Sequence, residues 1–309
     1  MVVMELTRAA EVVSTYASTS IEGNPLPLTE VKRVLKSKPT NMRQSEQEVV
    51  NYNRVLRDLN QRLNRVKVKL SVKLIEEIQA GVTQGLLPER ECGKLRQKPV
   101  VVRNPRTGEV VYLAPEVEEV SSLMEELVAW VNGQRGKIDA LIVAGIFHKQ
   151  MVIIHPFMDG NGRSARLATK VLLVEMGLNT FNWFSFENYY NQNVTRYFAT
   201  VGELGDYYDL EDRINFTNWL EYFTEGIIDE LLRVQKLLPP ASLSPKTDLR
   251  PHDVKMLEYI GEKGFITPRD YAALVKRAKA TRALDFKRLI DLGLIVRRGK
   301  GRASYYVLQ

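Results

Sequence analysis

The stretch between residues 140 and 176 constrains the fold of this chain more than any other. The apolar segment ALIVAGIFHKQMVIIH is followed at once by the polar, glycine-rich run PFMDGNGR and then by the amphipathic segment SARLATKVLLVEMG. The apolar segment predicts a buried helix, and Pro156 ends it because proline disfavours helical geometry in the residue before it. The sequence therefore predicts two helices of the core joined by a short loop rich in chemically active groups.

The loop combines groups that bind phosphates. Gly160 and Gly162 allow positive φ and remove side-chain bulk, so successive backbone N–H groups can converge on an anion. Arg163 and Arg166 lie near the start of the following helix, three residues apart and hence on nearly the same face, and the helix end adds its own N–H groups. Asp159 supplies a hard oxygen ligand suited to Mg²⁺ beside phosphates.

His155 stands at the junction of the apolar helix and the loop, where its imidazole can accept a proton from an incoming hydroxyl. Taken singly, these groups are more often a packed histidine, a turn or a solvated arginine face. Their joint order indicates phosphoryl or nucleotidyl transfer, in which positioning and charge neutralisation supply most of the catalysis. The Walker pattern is absent, which excludes the P-loop class.

Composition indicates a globular protein of two or three modest domains. The chain has 309 residues, of which 44% are hydrophobic and 26% charged. Its apolar runs are too short to span a bilayer, and its first residues lack a signal-peptide pattern. The single cysteine, Cys92, excludes an intramolecular disulfide and favours the reducing cytoplasm. The three histidines are far apart in the sequence and have no cysteine partners, which argues against a zinc site.

Helical periodicity predicts helices over residues 5–22 and 42–64, and a further helix from about Ser71. Two β-branched runs, Val100–Val102 and Val110–Leu113, flank the turn sequence NPRTGE and predict a β-hairpin. It is the one clear hairpin signal in the first 240 residues.

The positive charge is concentrated at the C-terminal end. Residues 249–309 contain 14 Lys and Arg against 6 Asp and Glu, a net charge of +8, whereas the rest of the chain has 30 against 31. Three short helical patterns and two β-prone runs follow a Pro/Ser-rich linker and resemble a winged helix-turn-helix. The basic residues that could contact a DNA backbone lie in the third helix and the wing: Lys279, Arg282, Lys287, Arg288, Arg297, Arg298, Lys300 and Arg302. A solvated surface, or a domain for protein docking or dimer contacts, is the alternative.

The run HPFMDGNGRSAR, from His155 to Arg166, matches at every fixed position the signature H-P-F-x-[DE]-G-N-G-R-x-x-R of Fic-domain (Fic/DOC) proteins. The hairpin and the segments EQEVVNYNRVL, SFENYYNQNVTRYF and FTNWLEYFTEGI resemble the same family, so the similarity covers most of residues 1–235. It implies a mainly α fold, a helical core with a β-hairpin flap, followed by a small α+β winged helix-turn-helix domain. The implied domains are an N-terminal helical region (1–70), a catalytic core (71–236), a linker (237–250) and the winged helix-turn-helix (251–309).

The resemblance implies a protein adenylyltransferase that moves AMP from ATP, with Mg²⁺, to a Tyr, Ser or Thr hydroxyl of a target protein. By this resemblance His155 is the base and Asp159 the metal ligand. The implied nucleotide-binding residues are Gly160, Asn161, Gly162, Arg163, Arg166 and Tyr197. The implied docking residues, where an extended target segment would add a strand to the flap, are Val101, Val102, Arg103 and Asn104. Other nucleotide donors occur in the family, and a homodimer is a further implied partner.

The stretch STSIEGN fits the family's inhibitory pattern [ST]-x-x-x-E-[GN], with Ser18, Glu22 and Gly23 at its fixed positions. On local grounds it is a helix end with Gly23 as the residue after the cap. A carboxylate is unfavourable at a helix C-terminus, which favours a tertiary role for Glu22. The resemblance implies that Glu22 pairs with Arg166 and inhibits the enzyme. Two alternatives remain: a de-AMPylase, and a nucleotide-sensing DNA-binding regulator.

Overall fold

The computed structural model describes residues 2–37, 41–103, 107–178, 185–237, 249–299, 301 and 304–308. The described residues are mainly helical with a few short strands, which confirms the predicted fold class. They divide into two compact units, one of residues 9–232 and one that combines residues from 1–8 and 233–309. No helix among the described residues is both long and apolar enough to cross a membrane.

The larger unit is built from helices, the first and last of which continue beyond it. These are α1 (Val2–Ile21), α2 (Leu28–Ser37), α3 (Gln44–Leu63), α4 (Val72–Thr83), α5 (Val120–Gly133), α6 (Ala140–Ile154), α7 (Asn161–Glu175), α8 (Phe186–Gln192), α9 (Val194–Val201), α10 (Tyr207–Leu210) and α11 (Thr217–Leu237). Its strands are β1 (Val101–Arg103), β2 (Val110–Leu113) and β3 (Gly205–Asp206).

Helices α6 and α7 form the centre of this unit and pack against each other. Helix α6 starts where the Asp139 side chain accepts a hydrogen bond from Leu141 N, and apolar residues on all its faces are buried. Helix α7 has almost every residue buried after Gly160 caps it. The site therefore lies on two helices whose residues are buried over most of their length.

Several predicted elements differ from the structure in their bounds. The helix predicted over 5–22 is α1, and that predicted over 42–64 is α3. The helix predicted from Ser71 is α4, with the Ser71 hydroxyl accepting from Leu74 N. Helix α2 was not predicted, because it begins directly at the end of the segment EGNPLPL, whose glycine and prolines indicate a break in helical structure.

The hairpin joins a short sheet in the order β1-β2-β3. Strands β1 and β2 are antiparallel, with Val102 opposite Tyr112 and a register shift before Arg103. The two-residue strand β3 runs parallel to β2 and had no sequence signal. The buried side of the hairpin rests on α6, where the Tyr112 hydroxyl donates to Ile153 O at 3.1 Å.

The second unit contains the predicted three helices and hairpin. These are α12 (Pro251–Lys263), α13 (Pro268–Leu274), α14 (Lys279–Asp291), β4 (Ile295–Arg298) and β5 (Tyr305–Leu308), the strands being antiparallel. Their core contains Met256, Leu257, Ile260, Ile266, Tyr271, Phe286, Leu289 and Ile295.

A buried ionic network holds these helices together. Asp285 accepts from the Tyr271 hydroxyl at 3.0 Å and lies 3.1 Å from Arg277 Nε. His252 Nε2 is 3.2 Å from Asp285 Oδ1. His252 and Asp285, with Asp253, could in principle surround a cation, but Arg277 already supplies positive charge there.

Candidate active site

His155 follows the last residue of α6 and has the backbone conformation φ 50°, ψ 57°. Among the described residues it is the one non-glycine residue with positive φ. Such a conformation in a non-glycine residue is uncommon and is concentrated at functional sites. Pro156 removes the helical alternative, so the chain turns sharply and carries the imidazole to the edge of the loop.

The imidazole of His155 has one nitrogen held and one left for chemistry. Nδ1 lies 3.3 Å from Val152 O, and because a carbonyl only accepts, Nδ1 carries the proton in the neutral ring. Nε2 then presents a lone pair. Burial lowers the pKa of His155, more than the Val152 carbonyl and the Glu22 carboxylate raise it. The ring is therefore neutral near pH 7, the state that a general base requires.

The loop after His155 is closed by Asn161. Its Oδ1 accepts from Phe157 N at 2.9 Å, and its Nδ2 donates to Phe157 O at 2.8 Å. Phe157 itself is fully buried and fixes the loop in the core. Asn161 was expected to bind nucleotide, but its side chain holds the loop together. Its backbone N–H, at the first position of α7, has no intrahelical acceptor.

Arg163 combines burial with unused hydrogen-bonding capacity. It is 4% exposed, and its Nη2 donates to both carboxylate oxygens of Asp159 at 3.0 Å. Within the described part of the chain its Nε and Nη1 are buried and make no hydrogen bond. A buried cationic donor without an acceptor is costly, so an anion at this position is the natural complement.

Asp159 fits the predicted role of a magnesium ligand. Its side chain is 50% exposed, and beyond the bonds from Gly160 N and Arg163 its two oxygens keep lone pairs for a cation. Mg²⁺ commonly takes one or two carboxylates and completes its shell with phosphate oxygens and water. One exposed carboxylate beside an anion-binding turn matches that donor set.

Arg166 is fully buried, and all three of its nitrogens are engaged. Nε donates to Ser18 Oγ at 2.7 Å and Nη2 to Ser18 O at 2.9 Å. Nη2 also donates to Glu22 Oε1 at 2.7 Å, and Nη1 to the Tyr197 hydroxyl at 3.3 Å. Burial, the largest single effect, lowers the pKa of Arg166, but Glu22, Tyr197 and Tyr52 together raise it more, and the net shift is upward. The end of α1 thus holds the arginine that was predicted to grip phosphates.

Gly162 shows how tightly the end of α1 approaches the loop. A Cβ placed on Gly162 would lie 2.1 Å from Glu22 Oε1 and 3.1 Å from Arg166 Nη1. Glycine is therefore required for the Glu22 carboxylate to reach its position. Gly23, with φ 90°, turns the chain away immediately after Glu22.

Tyr197, expected to line the nucleotide pocket, lies behind Arg166 and is 1% exposed. His148 Nδ1 lies 3.1 Å from Thr169 Oγ1, and its Nε2 lies 3.0 Å from the Tyr197 hydroxyl. Since the Thr169 hydroxyl donates to Ala165 O, His148 donates from Nδ1 and accepts the Tyr197 proton at Nε2. The Tyr197 oxygen is then free to accept from Arg166.

His148 stays neutral in this chain of hydrogen bonds. Burial, and secondly the charge of Arg166, lower the pKa of His148 to about 3. Its ring packs against Trp219, with 5.0 Å between the ring centroids. The orientation of Arg166 thus depends on an aromatic cluster that has no contact with solvent.

A second buried network attaches α1 to the core one turn before Ser18. The Ser14 hydroxyl donates to Glu187 Oε2 at 3.1 Å and accepts from Lys170 Nζ at 2.9 Å. Glu187 also accepts from the Tyr52 hydroxyl at 3.0 Å. Because Glu187 is fully buried and Lys170 is 5% exposed, this polar cluster fixes the position of α1 along α7.

The hairpin lies with β1 at the edge of its sheet. Of the predicted docking residues, Val101 and Arg103 are exposed and Val102 is half-buried; Asn104 lies outside the described residues. Since the sheet order leaves one edge of β1 unpaired among the described strands, an extended segment could pair there.

Arg96 connects the hairpin with the loop that carries His155. It is 2% exposed, and its Nε donates to His155 O at 3.0 Å. Its Nη1 donates to Lys98 O at 3.4 Å, and its Nη2 donates to Pro115 O. Its backbone N donates to Pro156 O at 2.9 Å.

Sequence reasoning missed Arg96, His148, Lys170 and Glu187. Lys170 lies four residues after Arg166 on α7 and so shares its helix face, whereas His148 lies seven residues before His155 on the helix that leads to it. The spacing of Lys170 from Arg166 was a usable signal. Arg96 and Glu187 had none, because only the tertiary fold brings them to the site.

The Fic/DOC family model matches residues 69–173. A protein adenylyltransferase fic-1 of Caenorhabditis briggsae is 32% identical over 167 residues, which are 52% of this chain and 31% of that protein. A protein adenylyltransferase Fic of Drosophila melanogaster is 27% identical over 166 residues, again 52% of this chain and 32% of that protein. The chain thus spans about a third of the length of the curated relatives it matches.

Two solved structures share the fold. A Fic family protein from Desulfovibrio desulfuricans aligns with a TM-score of 0.61 at 21% identity, covering 99% of this chain and 88% of that one. A Fic domain containing signaling protein from Bacteroides thetaiotaomicron aligns with a TM-score of 0.63 at 22% identity, covering 76% and 89%. At these identities the likeness concerns the fold alone.

Proposed function

From the premise that residues 69–173 form a domain of the Fic/DOC family, we propose that this chain transfers AMP from ATP to a hydroxyl side chain of a target protein and is inhibited by its own Glu22. The observation that carries the proposal is the occurrence in one loop of two features: the Nδ1 of His155 is held by Val152 O, and Arg163 is buried with Nε and Nη1 that find no acceptor among the described residues. Similarity to proteins named protein adenylyltransferases supports it. A cytoplasmic location, where ATP is available, belongs to the same proposal.

In the proposed reaction Nε2 of His155 takes the proton of a Tyr, Ser or Thr hydroxyl of the target. The hydroxyl oxygen then attacks the α-phosphorus of ATP, and the bond from that phosphorus to the oxygen bridging to the β-phosphate breaks. Pyrophosphate leaves, and AMP remains on the target oxygen. Because Val152 O holds Nδ1, the ring keeps its orientation as it gains charge.

Phosphates are held by the turn from Gly160 to Arg163. The first N–H groups of α7 have no intrahelical acceptor and lie at the positive end of its dipole, which favours an anion. Arg163 adds the two unpartnered donors. Asp159 is the residue that would hold Mg²⁺, which when bound neutralises phosphate charge.

Arg166 is the residue on which inhibition depends. A guanidinium suits the terminal phosphates of ATP, but here Ser18 and Glu22 use the same nitrogens. ATP that binds in this state lacks the grip of Arg166 and is not aligned for in-line attack. The resemblance to the family suggests this role, and the 2.7 Å contact between Arg166 Nη2 and Glu22 Oε1 supports it.

The test uses ATP labelled on the α-phosphate with Mg²⁺, with and without cell lysate. We expect labelled protein with the Glu22→Gly variant, less with the wild type, and none after His155→Ala is added. Label that accumulates equally in the His155→Ala variant would contradict the proposal. Loss of pre-attached AMP, in the wild type but not in the Glu22→Gly variant, would instead favour removal of AMP as the activity.

A second candidate function concerns the unit of α12–α14, β4 and β5, for which we propose binding to duplex DNA. The exposed charges of α14 between residues 279 and 288 are basic, since Asp285 is buried. Two other acids, Asp253 and Asp270, are bonded to the backbone at the starts of α12 and α13. Arg297 and Arg298 of β4 are exposed, whereas Lys300 and Arg302 lie outside the described residues.

Fluorescence anisotropy with a labelled DNA duplex at several salt concentrations tests this function. We expect affinity to fall steeply with salt, and Lys279→Ala and Lys287→Ala each to lower the slope of log affinity against log salt by about 1. Lys255→Ala on α12 is the matched control. Salt-insensitive binding would contradict contacts to the DNA backbone and favour a protein partner. Sedimentation of the protein alone would detect the other outcome, a homodimer formed through this unit.

A further inference from the structure

The backbone of His155 needs a partner to hold it. A left-handed non-glycine residue persists where its surroundings fix it. His155 N donates to Met151 O at 3.2 Å, so α6 fixes the amide side of the residue. The carbonyl side is fixed by Arg96, whose Nε donates to His155 O at 3.0 Å. Arg96 N adds a bond to Pro156 O at 2.9 Å, which holds the next peptide as well.

The same guanidinium holds both ends of the hairpin. Lys98, whose carbonyl accepts from Nη1, lies three residues before β1, and Pro115, whose carbonyl accepts from Nη2, lies two residues after β2. A guanidinium is planar and its donors have a fixed fork geometry. This one planar group, on a residue 2% exposed, therefore links the His155 carbonyl to both ends of the hairpin, in addition to the bond from Tyr112 to Ile153 O.

We propose that Arg96 is a positioning residue that sets the distance between a target segment docked on β1 and Nε2 of His155. It touches no reacting atom and acts through the carbonyl of His155 and the ends of the hairpin. The inference rests on the proposed AMP transfer. It adds that one buried arginine joins the surface that receives the target to the group that removes the proton.

Arg96 is separate from the groups proposed to hold nucleotide. Its hydrogen bonds go to His155, Pro156, Lys98 and Pro115. Arg163 donates to Asp159, and Arg166 donates to Ser18, Glu22 and Tyr197. Replacing Arg96 should therefore slow the transfer step and leave ATP binding nearly unchanged.

The kinetic test is made in the Glu22→Gly background, following AMP incorporation into target protein of a cell lysate from ATP labelled on the α-phosphate. We expect Arg96→Ala to lower kcat about 10²-fold, the size of effect produced by misplacing a catalytic group by about 1 Å. The KM for ATP should stay within about twofold. The kcat of Arg96→Lys should fall between those of Arg96→Ala and the Glu22→Gly parent, because an ammonium can donate to one carbonyl but cannot span all three.

The matched control is Arg54→Ala. Arg54 also donates to a backbone carbonyl, Gly81 O at 3.0 Å, but it is exposed and lies on α3. It should leave both constants unchanged. A parallel fall of kcat and ATP affinity in the Arg96 variants, in step with the folded fraction, would show a merely structural role and overturn the inference.

A readout independent of activity separates this inference from the proposed function. The chain has three histidines, so their imidazole signals can be assigned by NMR with one substitution each. In Arg96→Lys we expect the His155 signals to shift while those of His148 and His252 stay in place. Unchanged His155 signals together with an unchanged kcat would refute the positioning role. If the Glu22→Gly parent itself transfers no AMP, the proposed reaction fails, and the His155 signals alone then decide whether Arg96 positions the ring.

Discussion

Removing the Glu22 carboxylate should release the enzyme. Arg166 keeps four hydrogen bonds in the inhibited arrangement, and one of them, at 2.7 Å, joins it to Glu22 Oε1. A hydrogen bond between charged groups contributes about 1.5–3 kcal/mol. Since the Glu22 side chain is 31% exposed, the lower part of that range applies, and about 1.5–2 kcal/mol corresponds to roughly a 10- to 30-fold gain in the population able to grip phosphate.

The assay is the initial rate of AMP incorporation at saturating ATP, for the wild type and for Glu22→Gly and Glu22→Gln. Glutamine keeps an acceptor oxygen but loses the charge, so its rate should fall between the other two. Glu30→Ala is the control, because Glu30 is a half-buried residue of α2 that pairs with Arg33 at 3.4 Å and with Arg43 at 3.7 Å. Equal rates for the wild type and Glu22→Gly, with ATP bound by both, would refute the inhibitory role of the 2.7 Å contact.

Three further changes test the surroundings of Arg166. Ser14→Ala removes the bonds of the Ser14 hydroxyl to Glu187 and from Lys170 and should raise the wild-type rate by at least roughly 2- to 10-fold, the worth of one of these two hydrogen bonds; no additional rise is expected in the Glu22→Gly background. Tyr197→Phe removes an acceptor from Arg166 and should weaken ATP binding in the Glu22→Gly variant more than in the wild type, measured by calorimetry. His148 has its pKa lowered to about 3 by burial and by Arg166, so the unfolded chain binds a proton first as pH falls through about 6.5. Urea unfolding should then show that the free energy of unfolding of His148→Gln falls by about 2 kcal/mol less than that of the wild type between pH 6.5 and 5. Equal falls in the two proteins would show that groups other than His148 cause the loss of stability.

The sequence was most informative where local rules govern structure. Pro156 predicted the end of α6, and the apolar run before it predicted a fully buried helix. The β-branched runs around NPRTGE predicted the hairpin to within one residue, because alternation and turn chemistry are local properties. The order of residues from His155 to Arg166 indicated phosphate chemistry because its glycines, carboxylate and cations are adjacent in the chain.

Features that depend on tertiary contacts were not predictable in the same way. The role of Arg96 requires knowing that three distant carbonyls converge on it. Helix α2 and strand β3 depend on packing against their neighbours. The position of Tyr197 behind Arg166, rather than at the surface of the site, follows from how α9 packs on α6 through His148. No spacing in the sequence encodes these distances.

The contact between the rings of His148 and Trp219 gives the protein an internal optical probe. An indole 5.0 Å from an imidazole is sensitive to that ring's charge and to its hydrogen bonds. The imidazole is joined through Tyr197 to the guanidinium that the end of α1 holds. Exchange of a carboxylate for a triphosphate on that guanidinium should therefore register in the emission of Trp219. With Trp130 and Trp183 replaced, occupancy of the site could be followed by the fluorescence of Trp219, with no label attached to the chain or to the nucleotide.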